Sequence, residues 1–80
     1  NNIMKRALYK ALTAHYTAEM ESARATLKVY FTGAAGIGEH PQVVEEMVKQ
    51  VDKFTNAEDC LHAINKHFAE DGGQTLEVEE

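Results

Sequence analysis

The chain has 80 residues, of which 44% are apolar and 26% are charged. This composition excludes a fully disordered or fibrous chain, and the length limits it to one domain with a small core. No apolar run reaches the ~20 residues needed to cross a bilayer, and no apolar leader segment is recognisable. Because Cys60 is the one cysteine, no internal disulfide can form, and we expect a reducing compartment and no secretion.

The net charge of −5 is distributed unevenly. Residues 1–30 contain five basic and two acidic residues, whereas residues 31–80 contain three basic and eleven acidic residues. This asymmetry favours packing the two halves side by side, although exposed pairs add only about 0–1 kcal/mol each. The acidic balance argues against nucleic acid as the main partner. The basic cluster of Lys5, Arg6 and Lys10 is interpreted as a solvated face.

The first element predicted is one long helix over about residues 4–32. Apolar side chains recur at steps of three and four from Met4 to Phe31, as on one face of a helix. Alanines raise the helix propensity, and neither glycine nor proline interrupts the stripe before Gly33. A glycine-rich loop over residues 33–40 is predicted to follow.

A second helix is predicted over about residues 41–71. Pro41 suits the first helical position, where its missing N–H has no partner to lose, and Glu45 and Glu46 suit the positive end of the helix dipole. The glycine pair that follows ends the helix. A pattern like a capping box begins at Thr55, so a kink there stays open.

The two apolar stripes match when the chain folds back on itself. Antiparallel pairing runs from Met4 opposite Phe68 to Phe31 opposite Val44, with residue numbers that sum to a nearly constant value. We therefore predict an all-α antiparallel two-helix hairpin over residues 1–71, with a short acidic tail over 72–80. The predicted helix–helix seam consists of Leu8, Leu12, Tyr16, Met20, Leu27, Phe31, Val44, Met47, Val51, Phe54, Leu61, Ile64 and Phe68.

A hairpin of this kind buries only one narrow seam. Ordering the backbone costs about 1–2 kcal/mol per residue, so a lone pair of helices is marginally stable. We therefore expect a homo-oligomer, a dimer or higher, that completes a helical bundle.

The loop TGAAGIGEHP can be interpreted in two ways. After the strand-like run LKVYF it is similar to the glycine fingerprint of short-chain dehydrogenases, where backbone approaches a pyrophosphate at a helix N-terminus. However, the glycines are spaced one residue closer together than in that fingerprint, and the sequence predicts no further parallel strands. We favour a turn between helices, and a small anion at the second helix start stays open. The tip available to a partner is predicted to be Gly36, Ile37, Gly38, Glu39 and His40.

No catalytic, cofactor or metal site is predicted. His62 and His67 lie about 140° apart around a helix, while Cys60 and His67 are two turns apart, so neither pair can share a metal. Cys60 is interpreted as a buried structural thiol and His15 as a packed core histidine. A Cys–His nucleophile would need an orienting group and an oxyanion hole, and the sequence indicates neither. We expect a non-enzymatic protein.

The run from Tyr30 to Phe68 has an aromatic helix end, a G-I-G-E-H-P loop, an acid-rich helix start, and A-E-D before an apolar repeat closing in H-F. In these features it resembles small, mostly uncharacterised helical proteins of tailed bacteriophages, common among marine T-even-type phages. The resemblance covers about half of the chain. It implies a phage-encoded accessory protein in the cytoplasm of the infected host or in the virion, and transfers no catalytic residues. The chain departs from the family pattern at Gly33-Ala34, where Asn-Pro is common, and at Gln42, where Asp is common.

Two classes of function follow as hypotheses. In the first, the chain is a self-associating helical interaction module that binds a host or phage protein. In the second, the oligomer holds a small nucleotide-type ligand between subunits. Membranes are not expected partners in either class.

Overall fold

A computed structural model describes residues 2–33 and 42–73 of the chain. Helix α1 spans Asn2–Thr32, helix α2 spans Val43–Phe68, and a 3-10 helix follows over Ala69–Gly72. The predicted all-α helical hairpin is confirmed, and the two described ranges contain no strand. The predicted tip, Gly36 to His40, and residues 74–80 of the acidic tail lie outside the described residues.

Helix α1 ends where glycine first enters the sequence. The backbone N–H of Gly33 donates to the carbonyl oxygen of Val29 at 2.8 Å, and the Thr32 hydroxyl donates to the carbonyl oxygen of Lys28 at 2.8 Å. These two bonds satisfy carbonyl groups that a helix C-terminus otherwise leaves without partners. The helix begins two residues before the predicted start at Met4.

Helix α2 runs through Thr55 without a break. The Thr55 hydroxyl donates to the Val51 carbonyl oxygen at 2.8 Å, so the side chain bonds within its own helix. Glu45 and Glu46 occupy the first turn, as predicted from the helix dipole. The predicted start at Pro41 lies outside the described residues.

The predicted end of the second helix, at about residue 71, falls within the 3-10 helix. The α-helix ends at Phe68 and tightens into the 3-10 helix, and Gly73 follows with a left-handed φ of 84°. An L residue with a side chain adopts this conformation only with strain, which explains the glycine.

The contact between α1 and α2 follows a seven-residue repeat. Buried or half-buried residues recur at that interval in both helices, and Ala23 and Ala57 are 0% exposed. A repeat of seven is close to two helical turns, so it keeps one edge of each helix against the other. We call this set the heptad seam; it consists of Tyr9, Tyr16, Ala23 and Tyr30 of α1 and Val43, Gln50, Ala57 and Ile64 of α2.

The contact between the two helices does not bury six members of the predicted seam. These six side chains are between 47% and 70% exposed in the hairpin: Leu8, Leu12, Phe31, Val44, Val51 and Phe68. The reason is that the chain has more apolar residues on each helix than one helix–helix contact can cover. The centre of the contact is instead occupied by small alanines and by tyrosines, which have polar ends.

Candidate interaction surface

One side of the hairpin is polar, and an ion pair across the helices defines it. The Lys53 ammonium lies 4.0 Å from a carboxylate oxygen of Glu19. Both residues follow a heptad-seam residue by three positions, Tyr16 in α1 and Gln50 in α2. Positions three after the seam therefore lie on the same side of the hairpin in both helices. We call the part of this side between Glu19 and Cys60 the polar flank; it consists of Glu19, Thr26, Glu46, Lys53 and Cys60. Nearer the chain termini, the same side of α1 has Leu12, three positions after Tyr9.

The opposite side is apolar. Residues four positions after the seam are rotated about 40° in the other direction, because a helix turns about 100° per residue. Residues one position after the seam lie further round on that same side. We call the apolar residues of this side the apolar flank; it consists of Met20, Leu27 and Phe31 of α1 and Val44, Met47, Val51, Phe54 and Leu61 of α2. Two exposed charged residues, Arg24 and Glu58, lie on the same side, one position after Ala23 and Ala57.

The apolar flank is incompletely covered within one hairpin. Met20, Leu27, Met47 and Phe54 are half-buried, whereas Phe31 is 70% and Val44 is 68% exposed. Val48, beside Val44 on α2, is also exposed. Contiguous apolar surface of this kind, as opposed to scattered single residues, is typical of an interaction site.

The flank is concentrated toward the Gly33 end of the hairpin. In the first half of α1 the corresponding positions hold Arg6, Lys10, Thr13 and Thr17. On α2, in contrast, Leu61 extends the apolar surface toward the chain termini. Each helix thus has apolar residues on two adjoining sides, one toward its partner in the hairpin and one outward, as helices of a four-helix bundle do.

At the end of the hairpin farthest from Gly33, Tyr9 packs between the two helices. Its ring is buried, and its hydroxyl donates a hydrogen bond to the side-chain oxygen of Asn65. Gly72 packs against the same ring: a Cβ atom at this glycine would lie 2.7 Å from Cγ of Tyr9. The 3-10 helix therefore packs closely against the Tyr9 ring. The Lys5 ammonium also forms an exposed ion pair with the Asp71 carboxylate, at 3.8 Å.

A small groove lies beside this closure. It has a volume of about 190 Å³, and its walls are Leu8, Leu12, Ile64 and Phe68, with Lys5, Tyr9 and Asp71 at the edge. The volume is below the roughly 300–1,000 Å³ of typical small-molecule sites. One ammonium, already near a carboxylate, is a poor anchor for a phosphate group.

Tyr16 of the heptad seam has an altered pKa, and its causes lie in the polar flank. A hydrogen bond with the Cys60 side chain raises the pKa of the Tyr16 phenol above its usual value. Negative charge on the Cys60 sulfur, some burial and the nearby Glu19 carboxylate act in the same direction. The His15 ring contacts the Tyr16 ring edge-on, with centroids 4.8 Å apart.

Within residues 2–33 and 42–73, no three His, Cys, Asp or Glu side chains are grouped so that they could hold a metal ion. Cys60, predicted as a buried thiol, is half-buried and its sulfur lies 3.9 Å from the side-chain oxygen of Asn56. His15, predicted as a packed core residue, is exposed; the prediction is wrong because it lies outside the heptad seam.

Sequence reasoning missed Tyr9 and Asn65, which close the hairpin, and the polar flank that fixes its sides. The spacing of Tyr9, Tyr16 and Tyr30 was the available signal, since these tyrosines fall in one seven-residue register. Leu8, one position before Tyr9, is the more hydrophobic residue and was predicted for the seam in place of Tyr9.

No family model matches the chain, and no curated protein and no solved structure is significantly similar to it. Neither described helix has a stretch that is both long and apolar enough to span a bilayer.

Proposed function

We propose that the chain is a non-enzymatic helical interaction module that self-associates through the apolar flank. The observation that supports this best is the exposure of Phe31 and Val44 beside the half-buried Met47. These side chains already form one surface across both helices. A second copy brings the same surface, so association removes apolar area from water on both sides.

The small core of the hairpin supports the same proposal. Among the described residues, the buried apolar set is Tyr9, Ala23, Ala57, Ile64 and Ala69. Three of these five are alanines, which contribute little buried area. Fully burying a valine, leucine, methionine or phenylalanine is worth about 1.5–3 kcal/mol. Covering the apolar flank is therefore the main source of stability still open to this chain.

In the biological setting suggested by the phage-protein resemblance, we propose an accessory protein of the infected host cell or virion. Its assembled form would present further surfaces to a host or phage protein. A membrane role and a catalytic role are not part of this proposal.

A second candidate function uses the groove walled by Leu8, Leu12, Ile64 and Phe68. Its apolar walls fit a small apolar group better than a nucleotide, and an adjoining subunit would have to enlarge it. Native mass spectrometry of freshly purified protein separates the two functions. A copurified small molecule would favour ligand binding, and a bare oligomer favours the interaction module.

The direct test is sedimentation equilibrium over a wide concentration range, with Val44→Gln and Val51→Gln as separate variants. We expect each variant to weaken the dimer at least tenfold, which corresponds to about 1.4 kcal/mol. Val29→Gln is the matched control, because it makes the same change at a side chain that is 65% exposed outside the apolar flank. A monomer at all concentrations, or equal weakening by Val29→Gln, contradicts the proposal.

A further inference from the structure

The charges and the position of the apolar flank also indicate how two copies are oriented. Helix α1 contains five basic and two acidic residues, and α2 contains three basic and five acidic residues. Two hairpins that stack flank on flank with two-fold symmetry have two choices. The symmetry axis can lie parallel to the helices, or it can lie across them in the plane of the interface.

These two choices bring different helices together. An axis parallel to the helices places α1 of one copy over α2 of the other, with the Gly33 ends of both hairpins side by side. An axis across the helices places α1 over α1 and α2 over α2, with the hairpins pointing in opposite directions. Only the first choice opposes helices of opposite net charge, and like-charged helices repel when they are juxtaposed.

The position of the apolar flank favours the same choice. In α1 the flank begins only at Met20, whereas Lys10 and Thr17 occupy the corresponding positions nearer the termini. When the two hairpins point the same way, the apolar halves superimpose along their full length. When they point in opposite ways, the apolar halves superimpose only if the first half of each α1 protrudes into solvent.

We propose that the chain forms a parallel two-fold dimer in which α1 of each copy packs on α2 of the other. The partner of the apolar flank is thus a second copy of this chain in one defined orientation. Every neighbouring pair of helices in the resulting four-helix bundle is antiparallel. This inference rests on the proposed self-association, and it specifies which ends of the two hairpins meet.

The test measures distances between spin labels in the dimer by pulsed electron paramagnetic resonance. Cys60→Ser removes the native thiol, and a single label is then attached at Ala7→Cys, near the chain termini on an exposed helical position. In the parallel dimer the two labels lie less than about 40 Å apart, because only the width of the bundle separates them. In the opposite orientation with the apolar halves superimposed, the rise of 1.5 Å per residue places them more than about 50 Å apart.

Val29→Cys is the matched label position. It is exposed and lies within the Met20–Phe31 part of the flank along the helix axis, so superimposed flanks place its two labels at a short distance in either orientation. A short distance at both positions supports the parallel dimer. A short distance at Val29 with a long one at Ala7 overturns the orientation while leaving self-association intact. If the labels at Val29 show no dipolar coupling and the protein has the mass of a monomer, the chain does not self-associate. That result contradicts both the proposed self-association and the proposed orientation.

Discussion

The hydroxyl of Tyr9 donates a hydrogen bond to the side-chain oxygen of Asn65, a residue 56 positions further along the chain. This bond joins the first turns of α1 to the last turns of α2, at the end of the hairpin farthest from the connecting loop. The Tyr9 ring beneath it is 7% exposed and supports Gly72. One side chain thus fixes both the register of the helices and the position of the 3-10 helix.

Removing the Tyr9 hydroxyl tests this role. We expect Tyr9→Phe to lower the free energy of unfolding by about 0.5–1.5 kcal/mol, the net value of one hydrogen bond. Urea denaturation followed by circular dichroism measures it. Tyr30→Phe is the control, because Tyr30 lies in the same heptad register but its hydroxyl forms no hydrogen bond within the described residues. Equal losses in the two variants would contradict an anchoring role for the Tyr9 hydroxyl.

Adding a methyl group at Gly72 tests the close approach to Tyr9. The new Cβ atom would lie 2.7 Å from Cγ of Tyr9, so the 3-10 helix or the ring has to move. We expect Gly72→Ala to cost about 1–3 kcal/mol, the usual effect of overpacking. Gly33→Ala is the milder comparison, since its Cβ atom would lie 3.1 Å from the Val29 carbonyl oxygen. Thermal unfolding that ranks Gly33→Ala as the more damaging change would contradict the packing described.

The alanine at the centre of the heptad seam sets the spacing of the helices. Ala57 is 0% exposed, and a leucine there must push α1 and α2 apart. We expect Ala57→Leu to destabilise the hairpin by about 1–3 kcal/mol. Ala63→Leu, at an exposed position of the same helix, should stay within about 0.5 kcal/mol of the parent. If both variants melt alike, Ala57 is not at a close helix–helix contact.

Gln50 is a polar residue within the heptad seam. Its side-chain oxygen is buried and has no hydrogen-bond partner among the described residues. A buried polar atom without a partner costs about 1–3 kcal/mol. We therefore expect Gln50→Met to raise the melting temperature. A lower melting temperature would show that the amide makes a bond in the assembled protein, as a polar seam residue that specifies register would.

Because of the Tyr16–Cys60 contact, we expect the stability of the hairpin to change with pH in the alkaline range. Because the pKa of Tyr16 is raised in the folded chain, the unfolded chain loses this proton first, near the ordinary value of about 10. The contribution of Tyr16 to stability is therefore complete below that pH and disappears as the pH rises through the higher folded-state value. Tyrosinate absorbance measures the titration, and the difference from Tyr16→Phe isolates this residue.

Cys60→Ala is the informative variant for that titration. It removes the hydrogen bond and the sulfur charge that are the main causes of the shift, so the pKa of Tyr16 should fall back toward its ordinary value. An unchanged titration would mean that Cys60 is not the group responsible.

The sequence alone determined the class of fold. Steps of three and four between apolar residues and the lack of glycine or proline before Gly33 specify two helices and the residue at which α1 ends. These are properties of neighbouring residues, and local backbone preferences act on them directly. The antiparallel pairing of the two helices could also be predicted from the sequence, because their apolar stripes have similar lengths and match when the chain folds back on itself.

Only the tertiary structure decided which edge of each helix faces the other. Leu8 and Tyr9 are adjacent in sequence and both can be buried, and hydrophobicity alone favours the leucine. The hydrogen bond to Asn65 and the packing of Gly72 on the ring select Tyr9 instead. In this arrangement Phe31 and Val44 are exposed. Contacts between residues far apart in the chain make that choice, and no local pattern contains them.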